Sequence, residues 1–362
     1  MTRLPEIRID PLSGRRTIIA GERSRRPGGQ PGLSEAQLQP EPIDPAEDPF
    51  AEGNEQRTPP ELYALRPHGG PPNSSGWLVR VVQNLYPALD AHDGDAADDS
   101  GGSEGNADGS AIAGHGGVPG GADRGANGTS QELFAAMPAS GAHEVIVNSP
   151  QPVHSLAQLP REQVVLAMEV WRERMREHAD SACVQLIVNE RREAGASLPH
   201  THAQLYALEF VPAAIARERE RFGAYATRTM GRNLLEDVVA EEVRAGKRIV
   251  AIDDEAVLLA PYASRLPFQL TLAPRRPRGR FEEQGPAGAA LLHEGLSRLA
   301  RHLGASPPLN MWVRTAPRGA EHFCWRIEVL PRLTHLAGLE LATDVNLNII
   351  APEHAAALLR EA

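Results

Sequence analysis

The chain is poor in cysteine: among its 362 residues only Cys183 and Cys324 occur. Each sits inside an apolar run, so no disulfide framework can form and no Cys-x-x-Cys pair is available to hold zinc. A reducing compartment, the cytoplasm, is the expected setting. Long hydrophobic runs are missing as well. No stretch approaches the roughly 20 apolar residues that a bilayer-crossing helix needs, and residues 1–10 lack the uninterrupted apolar core of a signal peptide. A soluble intracellular protein is expected. There is no excess of basic residues either: 37 Lys and Arg face 47 Asp and Glu, for a net charge of -10. Such a surface repels nucleic acid and anionic membranes unless its basic residues cluster, so neither is an expected partner and any phosphate site must be local.

What is present reads as an α+β chain with a repeat in it. Residues 7–21 have the pattern of a hairpin, with a turn at Asp-Pro-Leu-Ser-Gly between two short β-prone runs. A Pro- and Gly-rich stretch over 27–60 reads as an irregular arm, and 77–89 as a strand ending in a turn at Pro87. Between 90 and 130 the composition collapses into Gly, Asp, Ala, Ser and Asn. That segment cannot bury enough apolar surface to offset its ordering entropy, so a disordered insertion is expected. Strands follow at 144–148, 184–189 and 203–208, with a helix over about 161–180 carrying apolar positions Val164, Val165, Met168, Trp171 and Met175 at helical spacing. After a helical stretch over 213–246, interrupted near Gly231, the order of strands, helix and strands starts again. The simplest account is a duplicated α+β unit with a first half at 1–210 and a second at 211–362.

The chemistry concentrates in Ser-Leu-Pro-His-Thr-His-Ala-Gln at 197–204. In a strand, residues two apart share a face, so His200, His202 and Gln204 are expected on one side of a sheet. A neutral imidazole can attack phosphorus, and a carbonyl that accepts from its other nitrogen fixes the tautomer for attack. Gln204 can donate its amide to a phosphoryl oxygen as charge develops. Gly195 and Pro199 shape a tight approach loop that carries the Ser197 hydroxyl. A His-x-His pair is also compatible with a solvated strand face or with metal ligation, and spacing does not choose among the three.

The string Asn-Glu-Arg-Arg-Glu-Ala-Gly-Ala-Ser-Leu-Pro-His-Thr-His-Ala-Gln at 189–204 resembles the active-site motif of the galactose-1-phosphate uridylyltransferase branch of the histidine-triad superfamily, which includes nucleotide-sugar phosphorylases. Matching segments recur in order along nearly the whole chain apart from the insertion: 10–19, 23–27, 82–89, 141–150, 337–341 and 352–360. The resemblance implies two histidine-triad-like half-domains, each an antiparallel sheet with flanking helices, of which the second lacks catalytic histidines. It also implies a nucleotidyl-histidine on His202, with Gln204, Ser197 and Asn189 holding phosphates, Arg23 and Arg26 facing the nucleotide phosphates, Asn84 at the base and ribose, and Glu340 on the hexose hydroxyls. The implied reaction is uridylyl transfer between UDP-glucose and a hexose 1-phosphate. Phosphorolysis of ADP-glucose or of a dinucleotide is the alternative, and a nucleotide-binding protein without turnover is a second one. A homodimer is the expected assembly.

The chain departs from the family at its metals. Where many members carry zinc-binding thiolates and a histidine, this sequence has Asp48, Ala51 and Pro152, leaving His200 alone of that set; no zinc and no other cofactor is expected, with His154 the one nearby residue that could alter this. At the second metal site of some members Glu218 is kept, but Arg314, Cys324 and Arg326 replace histidines. Glu218 is expected to pair with Arg314 or Arg326, fixed cations standing where an ion would be. With its zinc partners gone, His200 is expected to be free to support the phosphate.

Overall fold

The structure is a computed structural model that describes residues 4–21, 23, 31–90 and 133–362. Arg26 and the expected insertion from residue 91 to 130 lie outside the described residues. The chain opens with the hairpin β1 (Glu6–Ile9) and β2 (Arg16–Ile19), whose turn is held by the Asp10 carboxylate accepting from the Leu12 and Ser13 N–H groups. After a short helix α1 (Glu35–Leu38) come β3 (Glu61–Leu65), β4 (Val79–Gln83), β5 (Gly141–Val147), helix α2 (Arg161–Glu177), β6 (Cys183–Glu190) and β7 (His202–Leu208). Two helices follow, α3 (Ala213–Arg228) and α4 (Leu234–Ala245). The second half then runs β8 (Ile249–Ile252), β9 (Ala256–Leu259), β10 (Leu270–Pro274), α5 (Ala289–Leu303), β11 (Leu309–Arg314) and β12 (Arg326–Pro331). The chain closes with α6 (Gly338–Thr343), β13 (Asn346–Asn348) and α7 (Pro352–Glu361); β13 adds in parallel to β2, making a small three-stranded sheet.

Ten strands form one sheet in the order β3-β4-β5-β7-β6-β11-β12-β10-β9-β8. The first five strands and the last five repeat one topology, three strands in sequence, a helix crossover, and two strands with the later one inside. The halves meet where β6 pairs antiparallel with β11, from Leu309↔Glu190 to Trp312↔Ile187. His202, which opens β7, therefore corresponds in position to Arg326, which opens β12.

Alternation along the strands assigns the two faces. Ile146 of β5 and Ala203, Leu205 and Ala207 of β7 point into the main core, where Val164, Met168 and Trp171 of α2 and Leu292, Leu296 and Leu299 of α5 cover them. Val145 and Val147, and with them His202, Gln204 and Tyr206, point to the other face, where the segment around Phe50 and Trp77 lies. Glycine is required at the start of β5: Gly141 has φ +144°, and a Cβ there would stand 2.0 Å from the Ala207 carbonyl oxygen of β7.

Candidate active site

The approach to β7 is a tight loop. After β6 the chain makes a 3-10 turn, Arg192–Ala194, that ends on Gly195 in the left-handed region at φ +93°, with the Gly195 N–H returning to the Arg192 carbonyl. Arg191 also has positive φ, +70° with ψ 157°, a conformation costing an arginine on the order of 1–3 kcal/mol. Its guanidinium holds it there by donating to the carbonyls of Gln37 and Ser306.

Beneath the loop, His202 is 4 % exposed and its Nδ1–H donates to the His200 carbonyl at 2.8 Å. That bond places the proton on Nδ1 and leaves the Nε2 lone pair free. Burial lowers the His202 pKa from its ordinary value, against the opposing pull of the His200 carbonyl, so the ring is held neutral. Phe50 meets the imidazole edge-on at 5.2 Å between ring centroids, walling one side. A cavity of about 390 Å³ opens in front, lined among others by His202, Gln204, Ser197, Asn84, Arg57 and Tyr86. An uncharged imidazole nitrogen facing a pocket rimmed by amides, a hydroxyl and a guanidinium can act as a nucleophile toward a phosphoryl centre.

His200 corrects the expectation. Strand β7 begins at His202, so His200 lies in the loop before it, fully buried, with Nδ1 2.6 Å from Asp48 Oδ2 and Nε2 2.8 Å from the Ser149 carbonyl. Both ring nitrogens are engaged within the protein, one by a carboxylate and one by a carbonyl. With no nitrogen to spare, it cannot support a phosphate; it anchors the loop whose carbonyl orients His202.

The remaining expected residues fall in different places. Asn84 lines the cavity, and its Oδ1 accepts from the Tyr86 N–H at 2.9 Å. Asn189 shares the sheet face of His202, but its Oδ1 accepts from Asn310 Nδ2 at 2.8 Å and it does not line the cavity. Arg23 is exposed after β2 and Glu340 caps its own helix by accepting from the Ala337 N–H at 2.9 Å; neither lines the cavity. Phe50, Arg57, Tyr206 and His143 belong to the site and were not picked out from the sequence. Each reaches it through cross-strand register or a long-range contact, which residue spacing does not encode. For His143 one signal existed: it lies in the matched segment 141–150.

The metal sites of the resembled family do not fit this chain. Asp48 and His200 are bonded to each other, and Ala51 and Pro152 offer no ligand atoms. His154 is turned away, its Nε2 on the Glu41 carbonyl at 2.8 Å. At the second position Glu218 meets both arginines, Arg326 Nη2 at 2.9 Å and Arg314 Nε at 3.6 Å, as the pattern of cations implied. Among the described residues no group of three or more His, Cys, Asp and Glu side chains is arranged to hold a metal ion, and no helix is long and apolar enough to cross a membrane.

The fold sets a walled, neutral histidine at the mouth of a polar pocket, and comparison with known proteins finds its relatives among enzymes, the nucleotidyltransferases. The model for the galactose-1-phosphate uridyl transferase N-terminal domain matches residues 121–212. The ADP-glucose phosphorylase of Arabidopsis thaliana is 26 % identical over 99 % of this chain and 93 % of its own length, and the galactose-1-phosphate uridylyltransferase of Haemophilus influenzae is 29 % identical over 55 % of this chain and 58 % of its own. The crystal structure of the Arabidopsis ADP-glucose phosphorylase with bound ADP-glucose shares the fold with a TM-score of 0.72, at 23 % identity and 99 % coverage of both chains. In sequence the chain is similar to members of the galactose-1-phosphate uridylyltransferase family, and it shares their fold.

Proposed function

We propose that this protein moves a nucleoside monophosphate group from a nucleoside diphosphate sugar by way of a nucleotidyl-His202 intermediate. The observation that carries the reading is the bond from His202 Nδ1 to the His200 carbonyl, which leaves a buried, neutral Nε2 facing the cavity. In the first step Nε2 attacks the α-phosphorus; a P–N bond forms, the bridging P–O bond breaks, and a sugar 1-phosphate leaves. The cation that develops on the imidazole is met by the His200 carbonyl, itself held by the Asp48–His200 pair. In the second step inorganic phosphate or another sugar phosphate takes the nucleotidyl group and frees Nε2. Gln204 and Ser197 contact the phosphates in this scheme, Asn84 the base and ribose, and Arg57 joins them from the cavity wall; Asn189, Arg23, Arg26 and Glu340 are secondary candidates.

The likeness in sequence to an ADP-glucose phosphorylase over 99 % of the chain favours ADP-glucose and phosphorolysis over UDP-glucose and uridylyl transfer, because the uridylyltransferases match in sequence over a smaller share, 63 % and 55 % in two of them. The test incubates the protein with labelled ADP-glucose, UDP-glucose and diadenosine tetraphosphate in turn. An acid-labile protein adduct is expected with at least one donor and none in His202→Asn; the absence of an adduct with every donor would reject the reading in favour of binding without turnover. A metal-independent, cytoplasmic homodimer is the accompanying proposal, checked by elemental analysis and light scattering of the purified protein.

A further inference from the structure

We propose that His143 is a positioning residue that fixes the direction of the Gln204 side-chain amide. The inference rests on the nucleotidyl-transfer reading for what that amide does, and on geometry alone for how it is held. Two backbone donors set the hydrogen-bonding roles. The Ala88 N–H donates to His143 Nδ1 at 3.1 Å, so Nδ1 must present its lone pair and the neutral ring carries its proton on Nε2. That Nε2 lies 3.1 Å from Gln204 Oε1 and 3.0 Å from Asn84 Nδ2. Asn84 is fixed in its turn, because its Oδ1 accepts from the Tyr86 N–H at 2.9 Å; the group it turns to His143 is an NH2, which cannot accept. Of the two neighbours, Gln204 Oε1 is therefore the acceptor.

The same oxygen accepts from the Tyr206 hydroxyl at 3.0 Å. With two donors on Oε1, Gln204 keeps its NH2 for the cavity it lines, where a phosphoryl oxygen bound before His202 would need a donor. Strand register assembles the device: His143 pairs with Tyr206, Val145 with Gln204 and Val147 with His202, so the four polar side chains rise from one face of β5 and β7. The His143 ring stacks on Tyr206 at 4.1 Å, and burial lowers its pKa, against the opposing pull of its bond to Gln204. A protonated His143 would set an N–H against the Ala88 N–H, so the neutral ring is the one the backbone selects. Asn84, unable to bond to a protonated Nε2, likewise keeps amide hydrogens for a ligand.

The test follows transfer of label from ADP-glucose and UDP-glucose to His202 in single turnover on the full chain. His143→Phe keeps a ring for Tyr206 to stack on and removes both hydrogen bonds. The expected result is an adduct formed on the order of 10-fold or more slowly, toward the loss seen when a transition-state donor is removed, with donor Kd changed by less than about 3-fold. In a Gln204→Ala background the same substitution is expected to cause no further slowing, because residues that act through one another are not additive. Independent, multiplying effects would overturn the proposal. Nitrogen-15 NMR of the unliganded protein at mildly alkaline pH reads the tautomer without reference to activity: Nε2–H is expected at His143, and Nδ1–H or an imidazolium would overturn the proposal. If the wild-type protein forms no adduct with either donor, the nucleotidyl-transfer reading falls, and the tautomer still decides the positioning one.

Discussion

At the residue scale, the site is built by giving each titratable ring one set of partners. His202 is neutral because it is buried and has a single acceptor; His200 is matched to a carboxylate and a carbonyl; His143 is set by a backbone N–H. Below them lies Glu190, 1 % exposed, accepting from Ser155, the Leu156 N–H and Thr201. Burial outweighs those three donors and pushes its carboxyl from 4.5 up to about 7. The folded state thus holds the Glu190 proton more tightly than the unfolded chain does. The stability tied to it is present in full below the ordinary carboxyl pKa and is lost as pH rises through about 7. At about 1.4 kcal/mol for each tenfold difference in proton affinity, the loss is on the order of 3 kcal/mol. Glu190→Gln is expected to flatten the dependence of melting temperature on pH between pH 5 and 7, as followed by circular dichroism; an unchanged slope would count against this assignment.

At the element scale, two contacts decide whether the strands that carry the site stay in place. Gly141 lets β5 approach β7 at the register that sets His143 beside Tyr206. Gly141→Ala places a methyl against backbone that cannot yield without moving a strand, and it should cost about 2–3 kcal/mol, within the range for overpacking. A drop in denaturant midpoint together with slower adduct formation would show the two effects arriving through one strand pair. On the other half, Arg326 of β12 holds Glu218 of α3 in a buried pair, and Arg314 backs it at longer range. Arg326→Met leaves that carboxylate with the weaker partner alone and is expected to destabilise by about 3 kcal/mol; adding Glu218→Met should recover much of it, since a buried pair replaced by apolar residues is often neutral. Urea unfolding of the single and double variants measures both.

At the scale of the whole molecule, the repeated topology does not give two independent bodies. β6 and β11 pair across the seam, and the main core runs from Val164 and Trp171 to Leu296 and Val329 without a break. We propose residues 1–210 and 211–362 as the two copies of a duplicated unit that fold together. A fragment ending at residue 210 would expose the β6 edge and the apolar residues that α5 covers, and is expected to aggregate or to show no cooperative melting in calorimetry. A fragment that melts cooperatively would show instead that each copy folds alone.

Much of this was legible in the chain. The strand and helix pattern from residue 141 onward follows from local periodicity, and the repeat of that pattern announced the duplication. The motif at 197–204 pointed to the proposed nucleophile because its geometry is local: the His202 ring, the carbonyl that orients it and the amide two residues on all lie within five positions of one another. Apart from the pairing of Glu218 with Arg326 and Arg314, what lay beyond the sequence was the partners brought from afar. Asp48 reaches His200 across 152 residues, and His143 meets Gln204 across 61. Joining the two five-stranded halves depends on an edge pairing between β6 and β11, and periodicity carries no information about which strand a given edge will choose. Tertiary structure alone decided that His200 anchors a loop instead of facing a phosphate, because a side chain's role is set by which of its hydrogen-bonding atoms the fold has already used.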